Sequence, residues 1–304
     1  MDFLEELSGI AGLTIKREEP MKKHTTAGLG GNARYYAEAG SLYSLAAALG
    51  SAKRCGVKSK VIGCGSNLLV SDAGYNGLII SAKNVKDIFI TKEGLRAGCG
   101  TTLAAFSQFA LRAGLGGAEE LAGIPGTIGG AVKNNAGAFG KSVSDVLLFA
   151  EILSDGKIEK KAAKDLKFGY RKSGLKKGET VIAATFALFP QKTSEIEKRR
   201  AEFIGIRRAS QPHGRSFGST FKNPKRVKSE ELKGLGAGAI IEKAGLKGLA
   251  CGGASVSVKH ANFITISPSA TAKEVKNLID RIKLEVYEKY GVKLSEEVEY
   301  VGEF

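Results

Sequence analysis

Nine glycines lie among the 27 residues from Gly114 to Gly140, and this segment constrains the fold more than any other part of the chain. Glycine lets the backbone approach a ligand closely. Apolar Ile124, Ile128 and Val132 are interleaved with the glycines, which indicates a packed loop rather than a flexible surface loop. Long ordered loops in compact domains usually carry a function, so we expect a binding element here.

Length and composition indicate a soluble globular protein of about two domains, because 304 residues with 43% hydrophobic side chains can bury a sizeable core. No window approaches the roughly 18 apolar residues of a membrane span. The start of the chain lacks the basic region and the cleavage site of a secretory signal. The cysteines, at positions 55, 64, 99 and 251, form no C-x-x-C pair, which argues against a zinc site or a disulfide framework. We therefore expect a cytoplasmic protein with no metal site and no membrane attachment.

The net charge of +15 is concentrated in two stretches. Residues 156–178 carry nine basic and two acidic side chains, and residues 192–233 carry twelve and five, so each stretch contributes +7. Such stretches are typical of a solvated basic surface, of a nucleic-acid-binding patch or of a cleft that attracts a polyanionic small molecule. Charge alone does not distinguish these three interpretations.

Hydrophobic periodicity and end signals predict an α+β chain in which helices alternate with strands, without internal repeats. Helices are predicted over residues 42–55, 101–113, 194–209, 229–244 and 271–290. Strands are predicted over residues 60–62, 78–81, 94–97, 143–154, 180–189, 254–267 and 297–301. Capping boxes are predicted to begin two of the helices, with the pairs Ser194–Glu197 and Thr271–Glu274.

A shorter glycine-rich element, with the sequence Gly63-Cys64-Gly65-Ser66-Asn67, follows the predicted strand at 60–62. It precedes the longer segment in the chain, so we call it the first glycine-rich element and the segment at 114–140 the second. Consecutive backbone N–H groups in such a turn can form a nest for a pyrophosphate. A Rossmann fingerprint is excluded, because leucine stands where its third glycine belongs. Alone, the motif is also typical of a tight turn between strands. Together with the longer glycine-rich segment, it indicates a bound dinucleotide.

Three further motifs contain polar residues suited to catalysis, and each also has a plain structural explanation. The motif FGYRKS contains Arg171, and most arginines are simply surface charges. The motif GSTFKNP contains Ser219, which is otherwise an ordinary turn hydroxyl. The motif LSEEV contains Glu297, and adjacent glutamates before a strand are usually solvated.

Taken in order, these motifs resemble the UDP-N-acetylenolpyruvoylglucosamine reductase family. The resemblance runs from about Lys23 to Gly302 and includes a sixth motif, GGASVSVKHANF, at residues 252–263. No tyrosine loop is inserted after Tyr170, as in the shorter of the family's two types. Cys64 departs from the family pattern, in which a third glycine is expected, and it leaves the nest intact if its φ is negative.

The resemblance implies an FAD-binding fold of the vanillyl-alcohol-oxidase type in two lobes, followed by an α+β domain that closes over substrate. We expect the first lobe at residues 1–70, the second at 71–209 and the substrate domain at 210–304. Non-covalent FAD is expected at Gly63, Cys64, Gly65, Ser66, Asn67, Gly126, Thr127, Gly130 and Ala131. The substrate is expected at Tyr170, Lys222, Asn223 and His260.

The implied activity is the reduction of UDP-N-acetylglucosamine enolpyruvate to UDP-N-acetylmuramate by NADPH or NADH through FAD, a step in peptidoglycan precursor synthesis. The catalytic positions carried over from the family are Arg171, Ser219 and Glu297. The Arg171 fork suits a carboxylate on which charge develops. A protonated Glu297 would donate a second hydrogen bond, which requires burial to raise its pKa. Ser219 would deliver a proton to the carbon that bears the ether oxygen, assisted by Lys222.

Two rival functions are open to test. One is an oxidase of alcohols or sugars with the same FAD-binding fold, and such oxidases often tether FAD through histidine or cysteine. The other is a basic nucleic-acid-binding module, which the absence of tryptophan and of interleaved aromatic and basic residues disfavours. Nothing in the sequence indicates an obligate oligomer, so we expect a monomer. We also expect that it binds neither nucleic acid nor membranes.

Overall fold

The computed structural model describes residues 3–225, 227 and 229–304. Within these residues the chain combines seven α-helices, five 3-10 helices and twenty strands, which confirms the predicted α+β class. The α-helices are α1 (Phe3–Ser8), α2 (Leu42–Arg54), α3 (Leu103–Arg112), α4 (Ile128–Asn134), α5 (Thr193–Ser210), α6 (Ala237–Lys243) and α7 (Ala272–Tyr290).

The strands are β1 (Leu13–Pro20), β2 (Asn32–Ala39), β3 (Ser59–Ile62), β4 (Leu68–Val70), β5 (Tyr75–Ser81), β6 (Ile88–Ile90), β7 (Leu95–Gly98), β8 (Leu115–Gly116), β9 (Gly137–Ala138), β10 (Lys141–Ser142), β11 (Leu147–Ser154), β12 (Lys157–Ala162), β13 (Thr180–Phe186), β14 (Phe189–Pro190), β15 (Phe221–Lys222), β16 (Ala250–Cys251), β17 (Ala254–Val256), β18 (Ile264–Ile266), β19 (Ser295–Glu296) and β20 (Glu299–Val301).

The chain divides into two compact units. The first unit consists of the described residues of Met1–Arg17, Tyr35–Cys64 and Gly77–Arg207. The second unit consists of the described residues of Glu18–Arg34, Gly65–Asn76 and Arg208–Phe304. The division of function into two FAD-binding lobes and a substrate domain stays a prediction.

The first unit contains an antiparallel sheet with the strand order β12-β11-β13-β7-β6. Helices α3 and α4 contribute to the core of this sheet, where the rings of Phe106 and Phe186 lie 4.6 Å apart. Most residues of a four-stranded sheet, with the order β1-β2-β5-β3, also belong to this unit. Helix α2 begins at a capping box made by Ser41 and Ser44. Its apolar face packs into a separate hydrophobic core that includes residues of β2 and β5.

The second unit is built around α7 and the antiparallel sheet β16-β17-β18. Helix α7 buries residues at the three- and four-residue spacing of an amphipathic helix, namely Ala272, Val275, Leu278, Ile279, Ile282 and Val286. Its predicted capping box is confirmed, because Thr271 accepts the Glu274 N–H and Glu274 accepts the Thr271 N–H. Gly291 ends the helix with a φ of 64°, the left-handed conformation that glycine adopts easily.

Several predicted elements differ from the structure. The helix predicted over 229–244 is wrong in its first half, because Gly234 has a φ of 77° and the helix begins only after Gly236. The strand predicted over 254–267 is wrong, because β17 and β18 pair with each other across a turn. Ser194 does not cap α5: the helix begins one residue earlier, and the carbonyl oxygen of Lys192 accepts the Ile196 N–H.

The glycine-rich segment is not a continuous loop. It contains β8, a 3-10 helix over Glu119–Leu121, α4 and β9, and β9 pairs with β10 immediately after the segment. None of the helices in the described part of the chain has the length and apolar composition that a membrane crossing requires.

Candidate active site

The first glycine-rich element uses two of its glycines to pack against other parts of the chain. A Cβ at Gly63 would lie 2.2 Å from Thr127 Oγ1, so no larger residue fits beside that side chain. Gly65 has a φ of 63°, and a Cβ there would lie 2.2 Å from the carbonyl oxygen of His24. Cys64, between them, keeps a negative φ. The condition under which cysteine is compatible with a nest is therefore met.

Cys64 is partly buried, and the positive charge of Lys83 acts on it. Burial raises the pKa of the Cys64 thiol above its ordinary value, while the positive charge of Lys83 acts in the opposite direction. Lys83 follows β5 and was not singled out from the sequence, because an isolated lysine after a strand carries no local signal. Its charge favours an anionic group at this turn.

The second glycine-rich element meets the first through Thr127, which is 3% exposed and packs on Gly63. Several of its backbone donors already have protein partners. The N–H of Ile128 donates to Thr101 and the N–H of Gly129 to Cys99, and both acceptors are backbone carbonyls. Ala131 donates to the carbonyl of Thr127 within α4. Gly130 is exposed on the first turn of α4, where a Cβ would meet only Thr127 Oγ1, at 4.0 Å.

Arg171 is held against the second glycine-rich element. Its Nη2 donates to the carbonyl oxygen of Gly137 at 2.8 Å. A turn formed by two backbone hydrogen bonds between Gly169 and Lys172 carries Arg171 at its corner with a φ of 53°. This left-handed conformation is costly for a side-chain-bearing residue, and it persists only where the surroundings hold it. Tyr170 is exposed, and its ring centroid lies 5.1 Å from the Arg171 guanidinium carbon.

Arg207 packs on the second glycine-rich element, and no sequence motif marks it. A Cβ at Gly123 would lie 2.6 Å from Arg207 Cδ, so the arginine stem packs directly on the glycine-rich element. Burial lowers the pKa of Arg207, and the positive charge of Arg171 lowers it further. In the described part of the chain, no carboxylate pairs with Arg207. Its position among several arginines of a basic helix gave no signal that this one is half-buried.

In the second unit, the structure brings together the segments that carry Ser219 and Glu297. Strand β15, after Ser219, pairs with β19, before Glu297. The Glu297 N–H donates to the carbonyl oxygen of Thr220 at 2.8 Å. Both Ser219 and Glu297 are half-buried. Among the described residues, the Ser219 hydroxyl makes no hydrogen bond.

Asn67 joins the first glycine-rich element to the Glu297 segment. Its side-chain Nδ2 donates to the backbone carbonyl oxygen of Glu297 at 2.9 Å, and its backbone carbonyl oxygen accepts the Glu299 N–H at 2.9 Å. Strands β4 and β20 continue this pairing in parallel. Asn67, which was expected to bind the cofactor, thus uses its side-chain Nδ2 in a hydrogen bond within the protein. Ser66, the polar residue beside it, is half-buried.

The predicted substrate residues Asn223 and His260 both lie against the beginning of α6. Asn223 Oδ1 accepts the Ala237 N–H at 2.9 Å, and a Cβ at Gly238 would lie 3.0 Å from His260 Cε1. Burial lowers the pKa of His260 from 6.5, so the ring is neutral at pH 7. Lys222 is half-buried on β15, one residue before Asn223.

These residues divide between the two units. Arg171, Tyr170, Gly63, Cys64 and the second glycine-rich element belong to the first unit. The second unit contains Gly65, Ser66, Asn67, Ser219, Lys222, Asn223, His260 and Glu297.

Comparisons with known proteins agree with this arrangement of motifs. Residues 211–301 match the C-terminal domain of UDP-N-acetylenolpyruvoylglucosamine reductase, and residues 33–160 match an FAD-binding domain that contains both glycine-rich elements. The UDP-N-acetylenolpyruvoylglucosamine reductase of Carboxydothermus hydrogenoformans is 40% identical over 303 residues, covering 98% of each chain. That of Agathobacter rectalis is also 40% identical, covering 96% of this chain and 95% of its own.

Solved structures give the same result for the fold. The crystal structure of UDP-N-acetylenolpyruvylglucosamine reductase from Thermus caldophilus superposes with a TM-score of 0.81 at 35% identity, covering 95% of this chain and all of that chain. A glucooligosaccharide oxidase from Acremonium strictum matches with a TM-score of 0.50 at 13% identity, covering 99% of this chain and 65% of the oxidase. The second similarity concerns the fold alone. The predicted FAD-binding fold of the vanillyl-alcohol-oxidase type is confirmed.

Proposed function

The chain belongs to the UDP-N-acetylenolpyruvoylglucosamine reductase family, and from this we propose that it reduces UDP-N-acetylglucosamine enolpyruvate to UDP-N-acetylmuramate. It is an FAD-dependent oxidoreductase of peptidoglycan precursor synthesis. The observation that carries the residue assignment is the hydrogen bond from the Glu297 N–H to Thr220, which joins the segments of Ser219 and Glu297. NADPH or NADH is the reductant, and we expect a cytoplasmic monomer.

The residues around the two glycine-rich elements fit a dinucleotide cofactor. The contact between Gly63 and Thr127 joins the elements, Gly130 leaves an open face on the first turn of α4, and Lys83 supplies positive charge. Six residues of the first unit are assigned to binding of the FAD pyrophosphate: Gly63, Cys64, Gly126, Thr127, Gly130 and Ala131. Gly65, Ser66 and Asn67 continue the turn that begins at Gly63, and we assign them to FAD binding as well. FAD held by these residues would supply the hydride chemistry between the nicotinamide and the enolpyruvyl double bond.

Non-covalent attachment of FAD is favoured by the chemistry of Cys64. A thiol is a far weaker nucleophile than its thiolate, and burial raises the pKa of this thiol. Cys64 therefore stays protonated at neutral pH and contributes a small polar side chain rather than a covalent link. Its role here is conformational, between two glycines whose contacts allow no larger residue.

Arg171 is assigned to the substrate carboxylate. Negative charge builds up on that carboxylate when hydride arrives at the neighbouring double bond, and a guanidinium pairs with it through two parallel hydrogen bonds. The contact with Gly137 and the fixed turn hold the Arg171 side chain in place before substrate arrives, so little reorganisation is needed. Arg207 adds a second positive charge nearby, unpaired among the described residues.

Ser219 is assigned to the proton transfer, and Glu297 is assigned to a second hydrogen bond on the substrate carboxylate. Ser219 donates a proton to the carbon that bears the ether oxygen, and Lys222, three residues on, supports that donation electrostatically. Glu297 in its protonated form donates a hydrogen bond to the substrate carboxylate. Tyr170, Lys222, Asn223 and His260 bind the UDP-sugar, and the charge of Lys222 suits its diphosphate.

The family resemblance also supports a division of the chain into three domains. The substrate domain corresponds to the later part of the chain, at 210–304, and the two lobes at 1–70 and 71–209 hold FAD. The match of the C-terminal domain over residues 211–301 supports the first of these boundaries.

A product assay tests the proposed function. The purified protein is incubated with NADPH and the enolpyruvyl UDP-sugar without oxygen, and the sugar is analysed by mass spectrometry. We expect substrate-dependent oxidation of NADPH and a product heavier by two hydrogen atoms. A second incubation supplies oxygen and free sugars or alcohols in place of NADPH and the UDP-sugar. Oxygen consumption there, with no conversion of the enolpyruvyl ether in the first incubation, would instead identify an oxidase of the same fold.

A further inference from the structure

Asn262 is a buried side chain that clamps the backbone next to Ser219. It is 5% exposed and lies in the turn between β17 and β18. Its Oδ1 accepts the Phe221 N–H at 2.9 Å, and its Nδ2 donates to the Phe221 carbonyl oxygen at 2.8 Å. The side-chain amide of Asn262, which is far from Phe221 in sequence, thus bonds both the backbone N–H and the backbone carbonyl of Phe221.

The backbone of the Asn262 turn holds Ser219 and its neighbour as well. The carbonyl oxygen of Asn262 accepts the Thr220 N–H at 2.8 Å, and Ser219 forms a β-bridge with Phe263. Three successive residues, from Ser219 to Phe221, are therefore fixed by the turn at 262–263. The turn is itself closed by the hydrogen bond from the Asn262 N–H to His260 Nδ1, at 3.2 Å.

The same line of hydrogen bonds continues to Glu297. The Thr220 N–H bonds to Asn262, while the Thr220 carbonyl accepts the Glu297 N–H. The Glu297 carbonyl in turn accepts Asn67 Nδ2. Asn262 therefore lies at one end of a continuous network that passes through the backbones beside Ser219 and Glu297.

We propose that Asn262 is a positioning residue for the second half-reaction, which fixes the Ser219 hydroxyl relative to Glu297. This inference rests on the proposed role of Ser219 as proton donor. Asn262 fixes the backbone of residues 219–221, so it influences the reaction only through the position of Ser219. Misplacement of a reacting group by about 1 Å costs on the order of 100-fold in rate.

The central variant is Asn262→Asp, which keeps the shape of the side chain. An ionised aspartate accepts the Phe221 N–H but has no N–H for the Phe221 carbonyl, so one half of the clamp is lost. Asn262→Ala removes both halves and should have the larger effect. Thr265→Val is the matched control, because it deletes a hydroxyl hydrogen bond to Ser255 on the same hairpin and touches neither Ser219 nor Phe221.

The FAD-loaded variants are studied by stopped-flow absorbance, with flavin bleaching by NADPH and reoxidation by the enolpyruvyl substrate followed separately. We expect Asn262→Asp to bleach at the normal rate and to reoxidise about 100-fold more slowly, while Thr265→Val does both normally. In the double variant, Ser219→Ala with Asn262→Asp, reoxidation should lie within about twofold of Ser219→Ala alone, because the group being positioned is already missing.

The outcomes separate the two hypotheses. Slow reoxidation in Ser219→Ala together with normal reoxidation in Asn262→Asp overturns the role of Asn262 and leaves Ser219 in place. Losses that multiply in the double variant show an effect independent of Ser219 and also overturn the proposal. Normal reoxidation in Ser219→Ala overturns the proposed role of Ser219 and the positioning of it by Asn262. A fall in FAD content or an equal loss in bleaching marks Asn262 as merely structural.

Discussion

Gly63→Ala tests whether the two glycine-rich elements are in contact. The added Cβ would lie 2.2 Å from Thr127 Oγ1 and 2.9 Å from Thr127 Cγ2. Thr127 is 3% exposed, so its side chain has little room to move away. Overpacking of this kind costs about 1–3 kcal/mol. At about 2–4 °C per kcal/mol, the thermal midpoint should fall by roughly 2–12 °C, and FAD should bind more weakly because the turn is displaced.

Thermal unfolding and FAD titration of purified protein provide the measurement, with two companion variants. Gly205→Ala lies in α5 with nothing within 4 Å of its new Cβ, and alanine in a helix should stabilise by about 1 kcal/mol. Thr127→Ala removes the two nearest atoms and leaves Thr127 Cβ at 3.1 Å, so it should restore part of the stability of Gly63→Ala. A Gly63→Ala protein with unchanged midpoint and FAD affinity, or additive losses in the double variant, would refute the contact.

Four further predictions concern the active site and the cofactor. Ser219→Ala should leave flavin bleaching by NADPH near normal and slow reoxidation by roughly 100- to 10,000-fold in stopped-flow absorbance; Ser219→Cys should recover part of that rate, and normal reoxidation in the alanine variant would exclude Ser219. Lys222→Gln should raise the Michaelis constant for the UDP-sugar more than it slows flavin reduction, whereas equal losses in both would place Lys222 elsewhere. Denaturation should release all flavin into the supernatant as FAD, and yellow precipitated protein would contradict non-covalent binding. The pKa of His260 lies below its ordinary 6.5, so the unfolded chain binds the extra proton first and stability should fall as pH drops below about 6.5; His260→Gln should flatten this slope in urea titrations, and an unchanged slope would contradict the burial of the ring.

Local interactions explain why some elements were predictable. Helix α7 has apolar residues at three- and four-residue spacing, a capping box at Thr271 and a left-handed glycine at its end, and all of these signals act within a few residues. The helix predicted over 229–244 had apolar periodicity too. There, the positive φ of Gly234 interrupts the helix, since the surrounding fold places a turn where periodicity alone allows a helix.

Gly63 is required by a packing contact that the sequence does not reveal. The pattern indicated a backbone that approaches a ligand. In the structure, the missing side chain makes room for Thr127 of the other glycine-rich element. Both explanations require glycine, and only the tertiary contact identifies the chain's own side chain as the neighbour.

The sequence by itself determined the family and the α+β class. It also identified the two glycine-rich elements, Arg171, Ser219 and Glu297 as candidates, because these features depend on local periodicity and on motifs in a fixed order. The tertiary structure alone decided that Thr220 joins the segments of Ser219 and Glu297, that Asn262 clamps Phe221, and that Arg207 is half-buried near Arg171. Such contacts join residues that are distant along the chain, so no local period or spacing records them. They become definite only when the backbone closes its long-range hydrogen bonds and excludes water from the groups between them.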